Sequence, residues 1–538
     1  MGIYLNPGTK KFENALNSAI YVDKTGMISY LNSVVNTNDR YLAVSRPRRF
    51  GKSLTAEMIC SYYEKELDSG SLFSERKISN EDNWDKYLNS YNVIRINMVD
   101  FVTRAKSIDS MISLLQSRVT NELINNFPEV NFSDSGDLSF SMEDIYNQTG
   151  EQFIIVIDEW DCIFRELDDD KAEEDYLGFL RDLFKDKDYI ALAYITGILP
   201  IKKYGHHSAL NMFIEYSMIA PKQLAEYTGF TDEEVKELCE KYGREYSKIR
   251  EWYDGYELYG IVPEGENKAN EYQIYSPYSV VQAIITGQLR DYWNSTETYE
   301  ALRVHINRNF SGLKDMVMLL MEGKRLSINT RQYQNDMSSM ASADDILTLL
   351  IHLGYLAYDD ANGEVYIPNK EVLDEYKNTI EGDSSWDVLY AKLAQSQRLL
   401  EATWAGDENT VSEMVENAHM KAGNQTYNSE AALSYAIRLS YINAEQYYTV
   451  IPEMQAGKGY ADLTYIPSNK YPDKPAMIIE LKYDKSAETA IDQIHRQKYP
   501  EALEKYKGNI LLVGINYDKD ASNEDAEFKH HSCIIEKA

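Results

Sequence analysis

Between residues 40 and 200, short apolar runs alternate with longer amphipathic segments. Four of the runs have the length and composition of strands: Arg40–Ser45, Asn92–Val99, Gln152–Asp158 and Tyr189–Thr196. The amphipathic segments between them lie near Ser53–Lys65, Ser107–Asn126 and Lys171–Lys185. An alternation of strands with helices is typical of a parallel α/β sheet, so we expect one in this part of the chain.

The pattern changes after residue 225. Thr231–Glu234 has the sequence of a capping box that opens a helix, and helical segments dominate from there to about residue 355. A predicted helix over Asp344–Leu353 is followed by a predicted hairpin over Tyr355–Ile367, which turns at Asn362-Gly363. This helix and hairpin resemble a small winged-helix unit.

From about residue 396, a helical region leads into a last α/β segment. Its predicted strands are Tyr447–Glu453, Tyr460–Ile466, Ala476–Lys482 and Asn509–Asn516. Because the helix and strand pattern changes twice, we predict three units, at residues 1–225, 226–395 and 396–538.

Composition limits the classes of function. A chain of 538 residues is too long for one core, and 43% hydrophobic residues place it in the ordinary globular class. The net charge of −31 argues against a protein that coats nucleic acid nonspecifically, although it leaves room for a local basic cleft. There is no signal-peptide core and no run of about 18 apolar residues, so we expect a cytoplasmic protein without a membrane partner. The four cysteines are far apart and indicate neither a disulfide framework nor a metal site.

A phosphate-binding loop is predicted at Ala43–Leu54 (AVSRPRRFGKSL), between a strand and a helix. Such a loop needs backbone N–H groups around the phosphates, a lysine on the terminal phosphates and a hydroxyl on Mg²⁺. Gly51, Lys52 and Ser53 supply the second half of the motif. The first half departs from it, because Arg46 takes the place of the first glycine and Pro47 has no N–H group.

The apolar run at Phe153–Ile157 ends in two acids, Asp158 and Glu159. In P-loop ATPases, an acid at this position holds Mg²⁺ and a following glutamate polarises the attacking water. A later strand ends at Thr196, a polar residue that we interpret as a sensor of the terminal phosphate. Arg48 and Arg49 have three interpretations: they contact phosphates, they reach a neighbouring subunit, or they lie on the surface.

A second set of acids lies near the end of the chain. Asp462 precedes a predicted strand, and the run Ala476–Ile479 leads into Glu480 and Lys482. Side chains alternate along a strand, so Glu480 and Lys482 share one face, and Asp462 on a neighbouring strand can lie beside them. Two carboxylates form a divalent-metal site and the lysine orients or activates water, which is a constellation that cleaves phosphodiesters. Further candidates are Gln493, Glu430 and Glu453.

In these segments the chain resembles a large bacterial family that joins an AAA-ATPase-like domain to a C-terminal PD-(D/E)XK-superfamily nuclease domain. The matching segments are Tyr21–Thr25, Arg46–Ser53, Ile157–Glu159, Thr196-Gly197, Trp252–Tyr256, Tyr275–Ser279 and Gly459–Asp462 with Glu480–Lys482. They follow the family order along nearly the whole chain. Arg46 in the first-glycine position resembles a family trait.

The resemblance implies ATP with Mg²⁺ in the N-terminal domain and Mg²⁺ or Mn²⁺ at the nuclease site. The nucleotide residues it implies are Lys52, Ser53, Asp158 and Glu159, with Glu159 catalytic and with Ser53 and Asp158 on the metal. Further residues expected at the nucleotide are Arg48, Arg49, Gly51, Leu54 and Thr196. The nuclease residues it implies are Asp462, Glu480 and Lys482, with the two carboxylates on the metal. The Trp252–Tyr256 segment is interpreted as packing.

Two functions of different class follow. The first is an ATPase whose nucleotide state governs a metal-dependent nuclease, with nucleic acid as partner, DNA in preference to RNA, and with room for a homo-oligomer. The second is an ATP-dependent switch or scaffold that binds a protein and has a nuclease-like domain that does not cut. The acidic charge favours the second function, and the intact set of Asp462, Glu480 and Lys482 favours the first.

Overall fold

The structure is a computed structural model. It describes residues 2–166, 169–201, 210–293, 298–306, 313–321, 323–333, 340, 342–381, 387–421, 437, 440–441, 444, 447–456, 459–468, 471–518 and 530–538. The chain divides into two compact units, residues 1–317 with 325–376, and residues 318–324 with 377–538. The predicted boundary near residue 225 has no counterpart in this division and stays a prediction.

The first unit is built around a parallel sheet, as the alternating pattern predicts. Its strands are β1 Tyr41–Ser45, β2 Asn92–Asn97, β3 Phe153–Asp158, β4 Ile190–Gly197 and β5 Ile214–Tyr216. They lie in the order β2-β3-β4-β1-β5, and every pairing is parallel. Because parallel strands align their carboxyl ends at one edge, the ends of β1, β3 and β4 come together.

Helices cover both faces of this sheet. Ile155 and Ile157 of β3 pack into one hydrophobic core, and Ile154 and Val156 pack into another on the opposite face. Burial on both faces explains why β3 is an uninterrupted apolar run. The helices of this region are α1 Lys10–Leu16, α2 Met27–Val34, α3 Lys52–Tyr63, α4 Gly70–Phe73, α5 Val99–Val102, α6 Ile108–Asn126, α7 Leu138–Thr149, α8 Cys162–Glu166 and α9 Asp170–Phe184, with a 3-10 turn at Lys77–Asn80.

The next region contains the predicted helices and also strands that the sequence did not reveal. Thr231 caps α10 in the predicted capping box with Glu234. The short strands β6 Phe230–Thr231, β7 Tyr256–Tyr259 and β8 Glu271–Tyr275 form an antiparallel sheet in the order β6-β8-β7. The helices are α10 Asp232–Tyr242, α11 Tyr246–Tyr253, α12 Pro277–Thr286, α13 Thr298–Ile306 and α14 Leu313–Met321, with a 3-10 turn at Lys222–Leu224.

The helix and the hairpin predicted for this region are present, and the winged-helix-like unit stays a prediction. Helix α15 at Ala343–Leu353 precedes strands β10 Ala357–Asp359 and β11 Glu364–Tyr366, which form the predicted hairpin. Gly363 in its turn has a φ of +70°, a conformation that favours glycine. Strand β9 at Leu326–Ser327 pairs with β11 and completes a three-stranded sheet.

The second unit contains a mixed sheet in the order β12-β13-β14-β15-β16, in which only β14 and β15 are parallel among the described strands. Its strands are β12 Tyr448–Ala456, β13 Gly459–Pro467, β14 Ala476–Tyr483, β15 Ile510–Tyr517 and β16 His531–Lys537. The helices after α15 are α16 Lys370–Glu381, α17 Asp387–Ala405, α18 Glu408–Lys421 and α19 Ala487–Gln497, with a 3-10 turn at Tyr499–Tyr506. A further 3-10 turn, at Thr330–Gln332, precedes α15 and belongs to the first unit. Asp158 and Glu480 therefore lie in separate sheets.

None of the helices among the described residues is both long and apolar enough to cross a membrane. The four cysteines are all buried free thiols.

Candidate functional site

The phosphate-binding loop leaves β1 at Ser45 and enters α3 at Lys52. Gly51 caps the helix with a φ of +88°, and Arg49 also has a positive φ, of +69°. Ser53 and Leu54 are exposed in the first turn of α3. The first-turn N–H groups of a helix attract anions, so this turn is suited to a phosphate.

Arg46 has a structural role beneath the loop. Its guanidinium is fully buried and donates hydrogen bonds to the backbone oxygens of Ser45 at 2.8 Å, Tyr216 at 2.9 Å and Leu224 at 3.4 Å. Burial lowers the pKa of Arg46 to about 10. Since the φ of Arg46 is not positive, its backbone does not require the glycine that the common motif has at this position.

Lys52 lies at the inner side of the loop. Its ammonium donates to the backbone oxygens of Arg46 and Pro47, each at 2.9 Å. Burial lowers the pKa of Lys52, and the carboxylates of Glu159, Asp161 and Asp158 oppose that effect. The lysine is thus held at the loop beside three acids.

Asp158 occupies the end of β3, in register with Asn97 of β2 and Thr196 of β4. Its side chain is fully buried, and neither carboxylate oxygen accepts a hydrogen bond within the part of the chain that the structure describes. An ion pair with Arg95 at 3.5 Å provides its charge balance. A buried carboxylate with unused acceptors is costly, and it fits a site for Mg²⁺ and its bound water.

Glu159 follows at the turn out of β3, with a φ of +54°. A non-glycine residue in this conformation is uncommon and occurs often at functional sites. The carboxylate of Glu159 pairs closely with the guanidinium of Arg165 on α8. Glu159 lies in the wall of the same cleft as Lys52 and Ser53, so the structure brings the predicted water-polarising acid to the phosphate loop.

Sequence reasoning missed three charged residues behind these acids. Arg95 on β2 pairs with Glu57 of α3 at 2.6 Å as well as with Asp158. Asp161 accepts hydrogen bonds from the backbone N–H groups that follow β4, at 3.0 and 2.8 Å. The signal for Arg95 was present, because a charge inside an apolar strand needs a buried partner.

The other predicted nucleotide residues have contacts of their own. Thr196 is buried and its hydroxyl donates to the backbone oxygen of Val44 at 3.0 Å, which ties β4 to β1. Arg48 and Arg49 both line the cleft. Arg49 donates to the backbone oxygen of Tyr292 and lies over the ring of Tyr278 at 4.2 Å.

The cleft has a volume of about 800 Å³ and extends from the phosphate loop to an apolar end. The apolar end is lined by Ile20, Tyr21, Tyr227, Phe230, Tyr278 and Val281. Three of the segments that carry the family resemblance, at residues 21–25, 46–53 and 275–279, therefore contribute to one cleft. Its size and its mixture of apolar and charged walls are suited to a nucleotide.

The Trp252–Tyr256 segment lies beside this cleft in the core. Tyr256 is buried, its ring packs on Phe50 of the phosphate loop at 5.4 Å, and its hydroxyl donates to the backbone oxygen of Gly354 at 2.6 Å. This geometry agrees with the interpretation of the segment as packing.

In the second unit, β13 and β14 bring the predicted nuclease residues together. The carboxylate of Asp462 accepts a hydrogen bond from the backbone N–H of Leu481 at 2.7 Å, which places it directly beside β14. The ammonium of Lys482 donates to Glu480 at 2.8 Å and to the backbone oxygen of Leu481 at 2.9 Å. Glu480 also accepts a hydrogen bond from Gln493 of α19. The strand alternation predicted this shared face correctly.

The carboxyl of Glu480 is buried beside the second acid, Asp462. Burial, together with the neighbouring charge of Asp462, raises the pKa of Glu480 to about 7. Its second carboxylate oxygen is buried and accepts no hydrogen bond from any described residue. Two carboxylates and the carbonyl of Leu481 form an all-oxygen donor set that suits Mg²⁺ or Mn²⁺. Among the described residues, no cluster of three or more His, Cys, Asp or Glu side chains could hold a metal, so water or substrate would complete the coordination.

The surroundings of this site contain few cations. Lys485, Arg496 and Lys498 are exposed near it along the chain. Glu430 lies outside the described residues, as does the side chain of Glu453, so neither is assigned a place.

The loop between β1 and α3, with paired acids after β3, defines a P-loop NTPase fold, and the Asp462, Glu480 and Lys482 set on a mixed sheet defines a nuclease-like α/β domain. Residues 7–206 match the family described as "Predicted AAA-ATPase". Residues 433–527 match the PD-(D/E)XK nuclease superfamily. The chain combines an AAA-ATPase-like domain with a PD-(D/E)XK-superfamily domain, as the sequence resemblance predicted.

Solved structures with some likeness include PCH-2 of C. elegans, at 13% identity over 64% of this chain and 71% of that chain, with a TM-score of 0.21. Another is the ORC1 protein of Aeropyrum pernix in complex with DNA, at 11% identity over 68% of this chain and 93% of that chain, with a TM-score of 0.22. At such TM-scores the likeness supports no conclusion about this chain. No curated protein matches it.

Proposed function

We propose that the N-terminal domain binds and hydrolyses ATP with Mg²⁺, and that the C-terminal domain is a metal-dependent nuclease whose cutting depends on the nucleotide state. The observation that carries the proposal is a pair of buried carboxylates: neither oxygen of Asp158, and only one oxygen of Glu480, accepts a hydrogen bond from a described residue. One lies beside a phosphate loop and the other beside a second carboxylate and a lysine.

In the ATPase site, Lys52 and the first turn of α3 bind the phosphates, and Ser53 and Asp158 hold Mg²⁺. The metal supplies charge stabilisation for the phosphoryl group when it is bound. Glu159 orients and polarises the attacking water, because it lies in the cleft wall at the end of β3. The apolar end of the cleft receives the base.

Two variants test this assignment. Lys52→Ala removes a buried cation from the phosphate loop, so ATP binding should weaken by about tenfold or more. Glu159→Gln keeps the shape of the side chain, so ATP binding should not weaken, while turnover should fall by about 100-fold or more. Calorimetry and a phosphate-release assay measure the two effects. Equal ATPase rates in the wild type and in both variants would rule out the site.

In the nuclease site, Asp462 and Glu480 hold Mg²⁺ or Mn²⁺, and Lys482 positions the water and stabilises negative charge on the phosphate. The test is cleavage of linear, circular and single-stranded DNA and of RNA with Mn²⁺. Asp462→Asn and Glu480→Gln should lose both metal binding and cleavage, because a hard cation loses a charged oxygen ligand. Lys482→Ala should keep the metal and slow the cleavage.

The alternative function is an ATP-dependent switch or scaffold with a domain that does not cut. The engagement of Lys482 by Glu480 and by the Leu481 carbonyl favours it, since this ion pair occupies groups that would serve the metal. The cleavage panel separates the two functions. Wild-type protein that cuts none of the four substrates and binds no Mn²⁺ at Asp462 and Glu480 would support the scaffold.

A further inference from the structure

Arg165 is a charged residue of the nucleotide cleft to which neither the sequence motifs nor the family match assigns a role. It lies on α8, six residues after Glu159, and lines the cleft with Lys52, Ser53 and Glu159. Its side chain is 14% exposed, so the guanidinium is largely withdrawn from solvent but faces the cleft.

The guanidinium is shared by two acids that belong to the site. It pairs closely with the Glu159 carboxylate, and its Nε lies 3.3 Å from the carboxylate of Asp161. Asp161 already accepts two backbone hydrogen bonds, from Ile198 and Leu199. The close contact of Arg165 is therefore with Glu159, the acid that must be available to water during hydrolysis.

Electrostatics connects Arg165 with the phosphate loop. The charge of Arg165 acts on Lys52, as do those of Glu159, Asp161 and Asp158. Lys52 and Arg165 thus share two acids, Glu159 and Asp161, and Glu159 lines the cleft together with both cations. A terminal phosphate brought to Lys52 would enter this group and would compete with Glu159 for the guanidinium, whose planar fork binds phosphate oxygens in pairs.

We propose that Arg165 binds the terminal phosphate of ATP and releases Glu159 when it does so. In the nucleotide-free protein, Arg165 is a positioning residue that holds the Glu159 carboxylate in an ion pair. With ATP, the same guanidinium contacts the phosphate that ADP lacks, so Glu159 becomes free to polarise water only when the correct nucleotide is present. This inference rests on the proposed ATPase function and adds a cis-acting cation that distinguishes ATP from ADP.

The test is equilibrium binding of a non-hydrolysable ATP analogue and of ADP to the full chain with Mg²⁺, by calorimetry. Arg165→Met should weaken binding of the analogue by about tenfold or more and change ADP binding by less than about threefold. Arg165→Lys keeps the charge but loses the planar fork, so it should fall between the wild type and Arg165→Met. Arg181→Met is the matched control, since Arg181 is half-exposed on α9 and pairs only loosely with Asp182, at 3.5 Å.

A double-mutant cycle with Glu159→Gln tests the exchange itself. If Glu159 competes with the phosphate for Arg165, Glu159→Gln alone should strengthen binding of the analogue severalfold. The gain should disappear in the double variant with Arg165→Met, because the guanidinium that was released is gone. Retained ADP binding in each variant shows that the cleft is folded.

Five results would overturn the inference. Equal weakening of the analogue and ADP by Arg165→Met would make Arg165 a structural support of the cleft. Unchanged binding of both would restrict it to positioning Glu159, as would additive effects in the cycle. Wild-type protein that binds neither nucleotide would remove the proposed ATPase function as well, whereas wild-type binding without a difference between nucleotides removes only this inference.

Discussion

A buried arginine supports the phosphate loop at the position where the common motif has its first glycine. The guanidinium of Arg46 is bonded to three backbone oxygens, two of them, in Tyr216 and Leu224, far away in sequence. Burying a charge is costly unless hydrogen bonds compensate it, and here three do. Where the common motif has a glycine with a flexible backbone, this protein therefore has an arginine whose side chain is fixed by hydrogen bonds.

Replacing Arg46 by glycine should damage the fold and should not restore a better loop. The change removes a large buried side chain and leaves the carbonyls of Tyr216 and Leu224 without their donor, so the free energy of unfolding should fall by about 3–5 kcal/mol. Urea unfolding followed by circular dichroism measures the loss. Arg181→Gly, on the surface of α9, controls for the conformational effect of a new glycine. Unchanged stability of Arg46→Gly would show that the buried bonds contribute nothing.

The sequence identified residues that carry a recognisable local pattern. Gly51, Lys52 and Ser53 follow a strand, and Asp158 ends one, so their positions were predictable. The partners of Arg95 and Arg165 were not predictable, because they depend on which distant or flanking side chain each arginine meets. For Arg95 the sequence indicated only that a charge inside an apolar strand needs a buried partner. Arg95 bridges Glu57 and Asp158 only after α3 packs on the sheet.

At the scale of secondary structure elements, β14 determines the chemistry of the second unit. Met477, Ile479 and Leu481 pack into one core, and Ala476 and Ile478 pack into the core shared with α19. Glu480 and Lys482 lie on the same face of β14 as Ala476 and Ile478, the face that packs against α19. Both side chains are therefore buried. That burial is the main cause of the raised pKa of Glu480.

The affinity for Mn²⁺ should therefore depend on pH. Because the pKa of Glu480 is about 7, the carboxyl is largely protonated below that pH and must lose its proton to bind a metal. Between pH 5.5 and 7, affinity should rise by about tenfold per pH unit, and it should level off above pH 7. Calorimetric titration across this range measures the slope.

The control for this titration is Glu504→Gln, an exposed change in the 3-10 segment Tyr499–Tyr506. It should keep the slope, whereas Glu480→Gln should abolish tight binding at every pH. An affinity that does not change between pH 5.5 and 7 in the wild type would show that Glu480 is not the titrating ligand.

In the metal-free protein, the raised pKa of Glu480 should make the free energy of unfolding fall as pH rises. Protonated Glu480 tolerates burial, so its contribution to stability is present below the ordinary glutamate pKa and is lost as pH rises through about 7. Metal binding thus offsets the free-energy cost of burying an ionised Glu480 at neutral pH.

Long, strongly patterned elements were predictable and short ones were not. The strands β1 to β4 and β12 to β15 were expected nearly at their observed bounds, because each is an apolar run. Strands β5 to β9 and β16 were missed. Most of them have two to five residues, and their pairing depends on partners that are distant in sequence.

At the scale of the whole molecule, the two candidate sites belong to different compact units with separate hydrophobic cores. ATP can govern cutting only if the nuclease site differs between nucleotide states. The rate of Mn²⁺-dependent cleavage should therefore change severalfold between ATP and no nucleotide in the wild type, and should not respond to ATP in Lys52→Ala. Equal cleavage in both nucleotide states of the wild type would leave the nuclease intact and refute the coupling.

The most direct test of two metal sites in one chain is the anomalous scattering of manganese in crystals soaked with Mn²⁺ and a non-hydrolysable ATP analogue. The account predicts one peak beside Ser53, Asp158 and the phosphates, and a second peak ligated by Asp462 and Glu480. Crystals of Glu480→Gln should keep the first peak and lose the second. Nucleotide bound at the loop with no manganese at Asp462 and Glu480 would contradict the nuclease, and the absence of both peaks would contradict the account as a whole.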